Sequence, residues 1–311
     1  MNLPLVSIII PVYNGSVYMR QAIDSALNQT YPNIEVIVVN DGSEDDGKTE
    51  RIAISYGSRI KYFHKENGGV SSALNLGIKM MKGEYFSWLS HDDLYEPRKI
   101  EEQVLSLQGK AKCVSICNTK TIDKSSNVVA IRENRYKVSN MSGEEALMYI
   151  TKYGANGCSL LIPKKAFKEA GLFNEELKYC QDILMWWKIF LSGYGLTFID
   201  YIGVSYRVHS TQVTQTKKAL FKFDAEIISD IVIPQFSEAS KKDNNILYIY
   251  AWGEAKQGNF SVLEKCLATA KRKNLFSTRQ VFALWLVKQY GKIRPFIRRM
   301  YYRIKLRMKT R

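Results

Sequence analysis

Residues 5–41 read "LVSIIIPVYNGSVYMRQAIDSALNQTYPNIEVIVVND", and the order of patterns in that stretch decides the fold. The run from Val6 to Ile10 is apolar at nearly every position, as is Ile34 to Val39; strands covered on both faces have that composition. Between them "VYMRQAIDSALNQ" carries a helical period, so the stretch reads strand, crossover helix, strand. The alternation continues through "RIKYFH" and "SSALNLGIKMM", then "YFSWLS" and "PRKIEEQVLSL". The sequence therefore predicts an α/β fold with a doubly wound, mostly parallel sheet.

In such sheets ligands bind beyond the carboxyl ends of the strands. The segments that follow the four strands are Pro11-Val12-Tyr13-Asn14, Asn40-Asp41-Gly42-Ser43, Lys65-Glu66-Asn67-Gly68-Gly69 and His91-Asp92-Asp93. Any one of them alone reads as a turn. Their recurrence along one edge points to a polar, phosphate-bearing ligand.

Composition narrows the class. A chain of 311 residues that is 46% hydrophobic can bury a sizeable core, as one large domain or two unequal ones. The net charge of +15 is concentrated at one end: residues 271–311 hold 14 basic and no acidic residues, which leaves 45 − 14 = 31 basic against 30 acidic before them. A neutral body with a basic tail argues against a nucleic-acid-binding body. The five cysteines have no C-x-x-C spacing, so reduced thiols in a cytoplasmic protein are expected, with neither a disulfide framework nor a zinc site. The apolar start "LPLVSIIIPV" lacks a basic n-region and a small-residue cleavage site, and Pro11 interrupts it. No run approaches the roughly 20 apolar residues of a membrane span.

The ordered segments "SIIIPVYNG", "IEVIVVNDGSED", "NGGVSSALNLGI" and "GEYFSWLSHDDLYEP" resemble the nucleotide-sugar-binding half of glycosyltransferase family 2, which has the GT-A fold. A weaker similarity runs to residue 215. The resemblance implies a catalytic domain over 1–215, with donor binding in 1–100 and acceptor binding in 101–215. It also implies metal-dependent, inverting transfer from a nucleotide-diphospho-sugar, expected to be a UDP-sugar, to a saccharide or lipid-linked saccharide. The setting implied is bacterial-type surface polysaccharide synthesis.

Each candidate residue has a structural reading beside the functional one. Tyr13, after Pro11, either caps the core or, as the resemblance implies, stacks on the nucleotide base. Asp41 belongs either to a helix N-cap region or, by resemblance, accepts a hydrogen bond from the uracil ring NH. Asn67, Gly68 and Gly69 either form a plain turn or let backbone approach a diphosphate at a helix N-terminus.

Asp92 and Asp93 suit a surface turn ahead of Pro97 or a hard divalent cation. The family's strand-end Asp-x-Asp motif implies Mn²⁺ or Mg²⁺. Here Ser90 stands at the first aspartate position, with Asp92 expected as ligand and Asp93 as auxiliary ligand or a contact to the ribose or sugar. In "SYRVHSTQVTQ", Arg207 and His209 resemble the family's Arg-x-His over the diphosphate, with His209 on the metal or a phosphate.

In "GLFNEELKYCQDILMWWKIFLSGY" Asp182 is either an acid favoured by the helix dipole or, by resemblance, the general base, with Gln181 in place of the usual glutamate. Trp186 either stacks on a sugar or packs in the core. One base suffices for a single in-line displacement with inversion, and no second, nucleophilic carboxylate is evident.

From residue 216 helical patterning takes over, ending in "QVFALWLVKQYGKIRPFIRRMYYRIKLRMKTR". A basic amphipathic segment of this kind predicts peripheral attachment to an anionic membrane surface, on the inner face of the cell membrane. A solvated basic tail or an oligomer contact is the bland reading; a homo-oligomer stays open and nucleic acid is not expected. Two other functions compete. A sugar-phosphate nucleotidyltransferase would show a glycine-rich basic loop after the first strand, which "PVYNGS" is not. A non-enzymatic membrane or nucleic-acid adaptor would tolerate Asp92→Ala and Asp182→Ala.

Overall fold

The computed structural model describes residues 3–132, 140–209, 221–240 and 245–290. They divide into two compact units, one within Met1–Ile150 and Gly154–Lys218, the other within Thr151–Tyr153 and Ala219–Arg311.

The first unit opens with the alternation that the sequence predicts. Strands β1 (Val6–Val12), β2 (Ile34–Asp41), β3 (Lys61–Lys65) and β4 (Tyr85–Trp88) are separated by helices α1 (Met19–Leu27), α2 (Lys48–Ile54) and α3 (Val70–Met80). They pair in parallel in the order β3, β2, β1, β4. Every residue of β1 is buried, because helices cover both faces of the sheet. α1 buries Met19, Ala22, Ile23 and Ala26, which share one helical stripe. α3 lies so close to β1 that a Cβ on Gly77 would meet Ile9 Cγ2 at 2.5 Å.

Beyond β4 the sheet becomes mixed. After β5 (Leu94–Tyr95) and α4 (Lys99–Ser106) come β6 (Cys113–Ile122), β7 (Val128–Arg132), β8 (Asn140–Met141) and α5 (Gly143–Tyr153). Then follow β9 (Leu160–Pro163), α6 (Lys164–Ala170), α7 (Gln181–Leu191) and β10 (Gly195–Arg207). β9 runs antiparallel between β4 and β6, while β10 runs parallel to β6 and antiparallel to β5. That pairing carries the end of β10 to the residues that follow β4.

The second unit is helical: α8 (Phe221–Ala239), α9 (Ile246–Gln257), α10 (Phe260–Lys273) and α11 (278–290). Its core includes Phe236, Leu247, Tyr250, Leu263 and Leu284. No described helix is long and apolar enough to cross a membrane. The basic amphipathic segment expected over residues 291–311 lies outside the described residues.

Candidate active site

The first three strand ends form a stapled rim. Asn14 donates its backbone NH to Ser43 Oγ at 2.9 Å, and its side-chain oxygen accepts from the Glu44 NH at 2.8 Å. The turn after β1 is thus fixed to the turn after β2. Tyr13, 42% exposed, presents its ring to solvent beside that staple and does not cap the core. Pro11 is buried within β1, opposite Val39.

Asp41 is buried at the end of β2, and its carboxylate gathers the turn after β3. Oδ1 accepts from Lys65 Nζ at 2.8 Å and from the Gly68 NH at 3.0 Å, and Oδ2 accepts from the Gly69 NH at 2.7 Å. A carboxylate offers about four acceptor positions, so Oδ2 keeps one for a ligand. Gly69 has φ +87° at the N-cap of α3, a conformation that favours glycine. Asn67 is exposed at the same turn. A Cβ on Gly42 would meet the Asn67 nitrogen at 2.6 Å, so the two loops touch backbone to backbone.

At the end of β4 the adjacent aspartates turn apart. Asp92 Oδ2 lies 3.0 Å from His209 Nε2, so the residue just beyond β10 meets the turn after β4. Asp93 points inward: its Oδ1 accepts from the Arg207 NH at 2.8 Å and its Oδ2 from Cys158 Sγ at 3.4 Å. Burial, and then the neighbouring Asp92 carboxylate, push Asp93 well above the usual carboxylate range. The repulsion between the two acids is relieved by turning them apart and favouring the neutral form of Asp93. Asp93, expected as an auxiliary metal ligand or a contact to the ribose or sugar, is buried with one protein donor on each oxygen and anchors the turn.

Arg207 is corrected in the same way. Expected over a diphosphate, it is fully buried. Its Nε donates to the Asp92 carbonyl at 2.8 Å, one terminal nitrogen to Ser126 Oγ and the Asp123 carbonyl, and the other to Gln21 Oε1 at 2.7 Å. Its guanidinium also lies over the Tyr18 ring at 4.5 Å, whose other neighbour is the His209 ring at 5.3 Å. Arg207 braces the aspartate turn and orients His209 through Tyr18.

Asp182 begins α7. The residue is half-buried, and desolvation pushes its carboxyl up to about 6 against the opposing hydrogen bond from the Ile183 NH at 2.8 Å. Gln181 is buried beside it, and its Oε1 has no hydrogen-bond partner among the described residues; an unpaired buried acceptor is costly unless a ligand donor meets it. Trp186 is 1% exposed and packs edge to face on Phe173 at 5.9 Å. The sugar-stacking expectation for Trp186 is thus overturned by its place in the core. Phe173 also meets Trp88 of β4 at 6.3 Å, and Asn75 of α3 holds the Phe173 backbone from both sides at 3.0 Å. An aromatic chain therefore joins α7 to the end of β4.

Sequence reading missed several supporting residues. Lys99 is buried without a carboxylate partner among the described residues; it donates to Ser87 and Gln103, and its Nζ sits 4.0 Å from the Tyr95 ring centroid. Burial brings it down to about 8. Tyr95 in turn donates to the Trp88 carbonyl at 2.6 Å, bracing the strands on either side of the aspartate turn. Tyr18 and Cys158 carried no distinguishing signal, because an aromatic or a thiol in a strongly apolar context ordinarily reads as core.

Among the described residues no group of three or more His, Cys, Asp or Glu side chains forms a closed metal cage. The Asp92 and His209 pair supplies one oxygen and one imidazole nitrogen. Such an open donor set fits a divalent cation that takes its remaining ligands from substrate phosphates and water.

Comparison with known proteins places this rim in a family. Residues 7–171 match the model for glycosyl transferase family 2. An uncharacterised glycosyltransferase of Rickettsia typhi is 52% identical over 215 residues, covering 68% of this chain and 67% of that protein. One of Rickettsia felis is 53% identical, covering 67% of this chain but 35% of its own length. The crystal structure of S. aureus TarS 1-349 in complex with UDP-GlcNAc superposes with a TM-score of 0.70 at 18% identity, covering 92% of this chain and 88% of that one. The α/β fold, with a mostly parallel sheet and C-terminal helices, is that of GT-A glycosyltransferases, and the chain belongs to glycosyltransferase family 2.

Proposed function

We propose that this glycosyltransferase moves a sugar from a nucleotide-diphospho-sugar, a UDP-sugar, onto a hydroxyl of a saccharide or lipid-linked saccharide with inversion at the anomeric carbon, as a step of surface polysaccharide synthesis. The observation that carries the reading is the separation of two carboxylates by environment. Asp92 faces His209 at the strand end, whereas the desolvated Asp182 holds its proton up to about 6. A carboxyl whose desolvation brings it up toward neutral pH is suited to general base work.

Tyr13 offers a ring face to the base, and Asp41 Oδ2 offers an acceptor to the uracil NH. The TarS structure with UDP-GlcNAc supports a nucleotide-sugar as donor. The Gly68 and Gly69 NH groups are taken up by Asp41, so what this turn offers the diphosphate is the exposed Asn67 and the positive end of the α3 dipole that starts after Gly69. Asp92 and His209 would hold Mn²⁺ or Mg²⁺, which neutralises charge developing on the departing diphosphate. Asp182 takes the proton of the acceptor hydroxyl as its oxygen attacks, and Gln181 Oε1 accepts a hydrogen bond from the acceptor.

The test is a transfer assay across UDP-sugars with Mn²⁺ or Mg²⁺. Asp182→Asn should lower turnover by about 10²- to 10⁴-fold while UDP affinity, measured by titration calorimetry, stays at the wild-type value. Wild-type turnover in that variant would remove Asp182 as the base.

A further inference from the structure

The last described helix carries a surface that sugar transfer does not use. α11 is a well-specified helix: the Ser277 side chain accepts from the Gln280 NH at 3.3 Å, and Gln280 Oε1 accepts from the Ser277 NH at 2.8 Å, a reciprocal cap. One face is anchored in its own unit, with Leu284 fully buried and Lys288 paired to Glu264 of α10. The face turned away from Leu284 is exposed and largely apolar, with Thr278, Arg279 and Gln289 the polar residues on the same half: Val281, Phe282, Trp285, Leu286 and Tyr290 are 43 to 61% exposed. At 100° per residue these five fall within one half of the helix circumference.

We infer that this face of α11, led by Phe282, Trp285 and Leu286, lies in the headgroup boundary of an anionic lipid bilayer. Three observations select that occupant. Trp and Tyr rings are amphipathic and suit a membrane interface, and Phe282 and Trp285 present a single plate, stacked at 5.8 Å and 16°. The sequence from residue 271 onward carries 14 basic and no acidic residues, so the stretch of chain to which this helix belongs has the charge that anionic headgroups attract.

A second copy of the chain would bring together two stretches of sequence that are both strongly basic, like charge against like charge. Nucleic acid is held by base stacking along a basic groove, whereas Val281 and Leu286 make part of this face aliphatic, with no stacking surface. The surface is independent of the catalytic reading above, since none of its residues belongs to the strand-end rim.

The experiment uses the full chain with phosphatidylcholine vesicles prepared with and without phosphatidylglycerol, in low and high salt. Expected are partition onto the anionic vesicles that weakens with salt, and a partition coefficient about tenfold or more lower for Phe282→Ser/Trp285→Ser. Both side chains are exposed and Leu284 is retained, so the variant keeps its helix, which circular dichroism verifies. Lipids brominated near the headgroup should quench part of the tryptophan fluorescence of the wild type, and that part should be missing in Trp285→Phe. Four results would each overturn the inference: no partition of the wild type, equal partition of the double variant, a wild-type dimer that the double variant dissolves, or oligonucleotide binding that the same variant abolishes.

Discussion

At Asp182 the same desolvation that makes a base also stores a cost. In the unfolded chain this carboxyl ionises at the ordinary aspartate value, whereas in the folded protein it holds its proton up to about 6. Between those values the native state binds more protons than the unfolded state. Stability is therefore greatest below the ordinary aspartate value and falls as pH rises through about 6. Asp182→Asn should then gain stability at neutral pH, by up to about 3 kcal/mol, and none near pH ~4, as read from urea unfolding at both pH values. Activity should show the complementary limb, with kcat/KM falling about tenfold per pH unit below the Asp182 value as the base becomes protonated. Asp92 and Asp93 teach the same lesson. They are neighbours in the chain, but one is turned to His209 and the other into the protein, and only the backbone path decides which is which.

β10 is the element that completes the rim. It pairs with β6 through register shifts between Phe198 and Val204 and with β5 at Val204 and Ser205, so its last residue, Arg207, arrives under the aspartate turn. The guanidinium spends its donors on carbonyls and side chains of three other segments. Removing it leaves buried acceptors unpaired. Arg207→Ala should cost about 2–4 kcal/mol of stability, and Arg207→Lys should recover only part, since an ammonium cannot match a planar fork of donors. Both variants should weaken UDP binding through the displaced turn. Unchanged stability with lost UDP affinity would instead mark Arg207 as a direct phosphate contact. α7 shows the converse case: Asp182 at its start is poised for chemistry, while Trp186 one turn later is core, where Trp186→Ala should cost about 3–5 kcal/mol.

Across the whole molecule, every residue proposed to hold donor or base lies within the first unit. A chain ending at residue 218 should therefore bind UDP with the affinity of the full protein, measured by titration calorimetry, while losing the vesicle binding assigned to α11. A collapse of UDP affinity on that truncation would show that the helical unit takes part in forming the rim.

The α/β order was legible because strands covered on both faces and one-stripe helices write periodicities of two kinds into the chain. The recurrence of Tyr13, Asp41, Gly69 and Asp92 at or just past the ends of four strands marks the rim in the sequence alone, since a parallel sheet gathers its carboxyl ends on one edge. The chain by itself thus determined which four strand ends share an edge. Tertiary structure alone decided what each side chain does there: Asp93 inward, Arg207 as a brace, Trp186 in the core and Lys99 buried against Ser87 and Tyr95. Those outcomes depend on burial and on partners up to 186 residues distant in sequence, as Arg207 to Gln21 shows. Local pattern carries no record of dielectric surroundings or of which donors arrive from elsewhere.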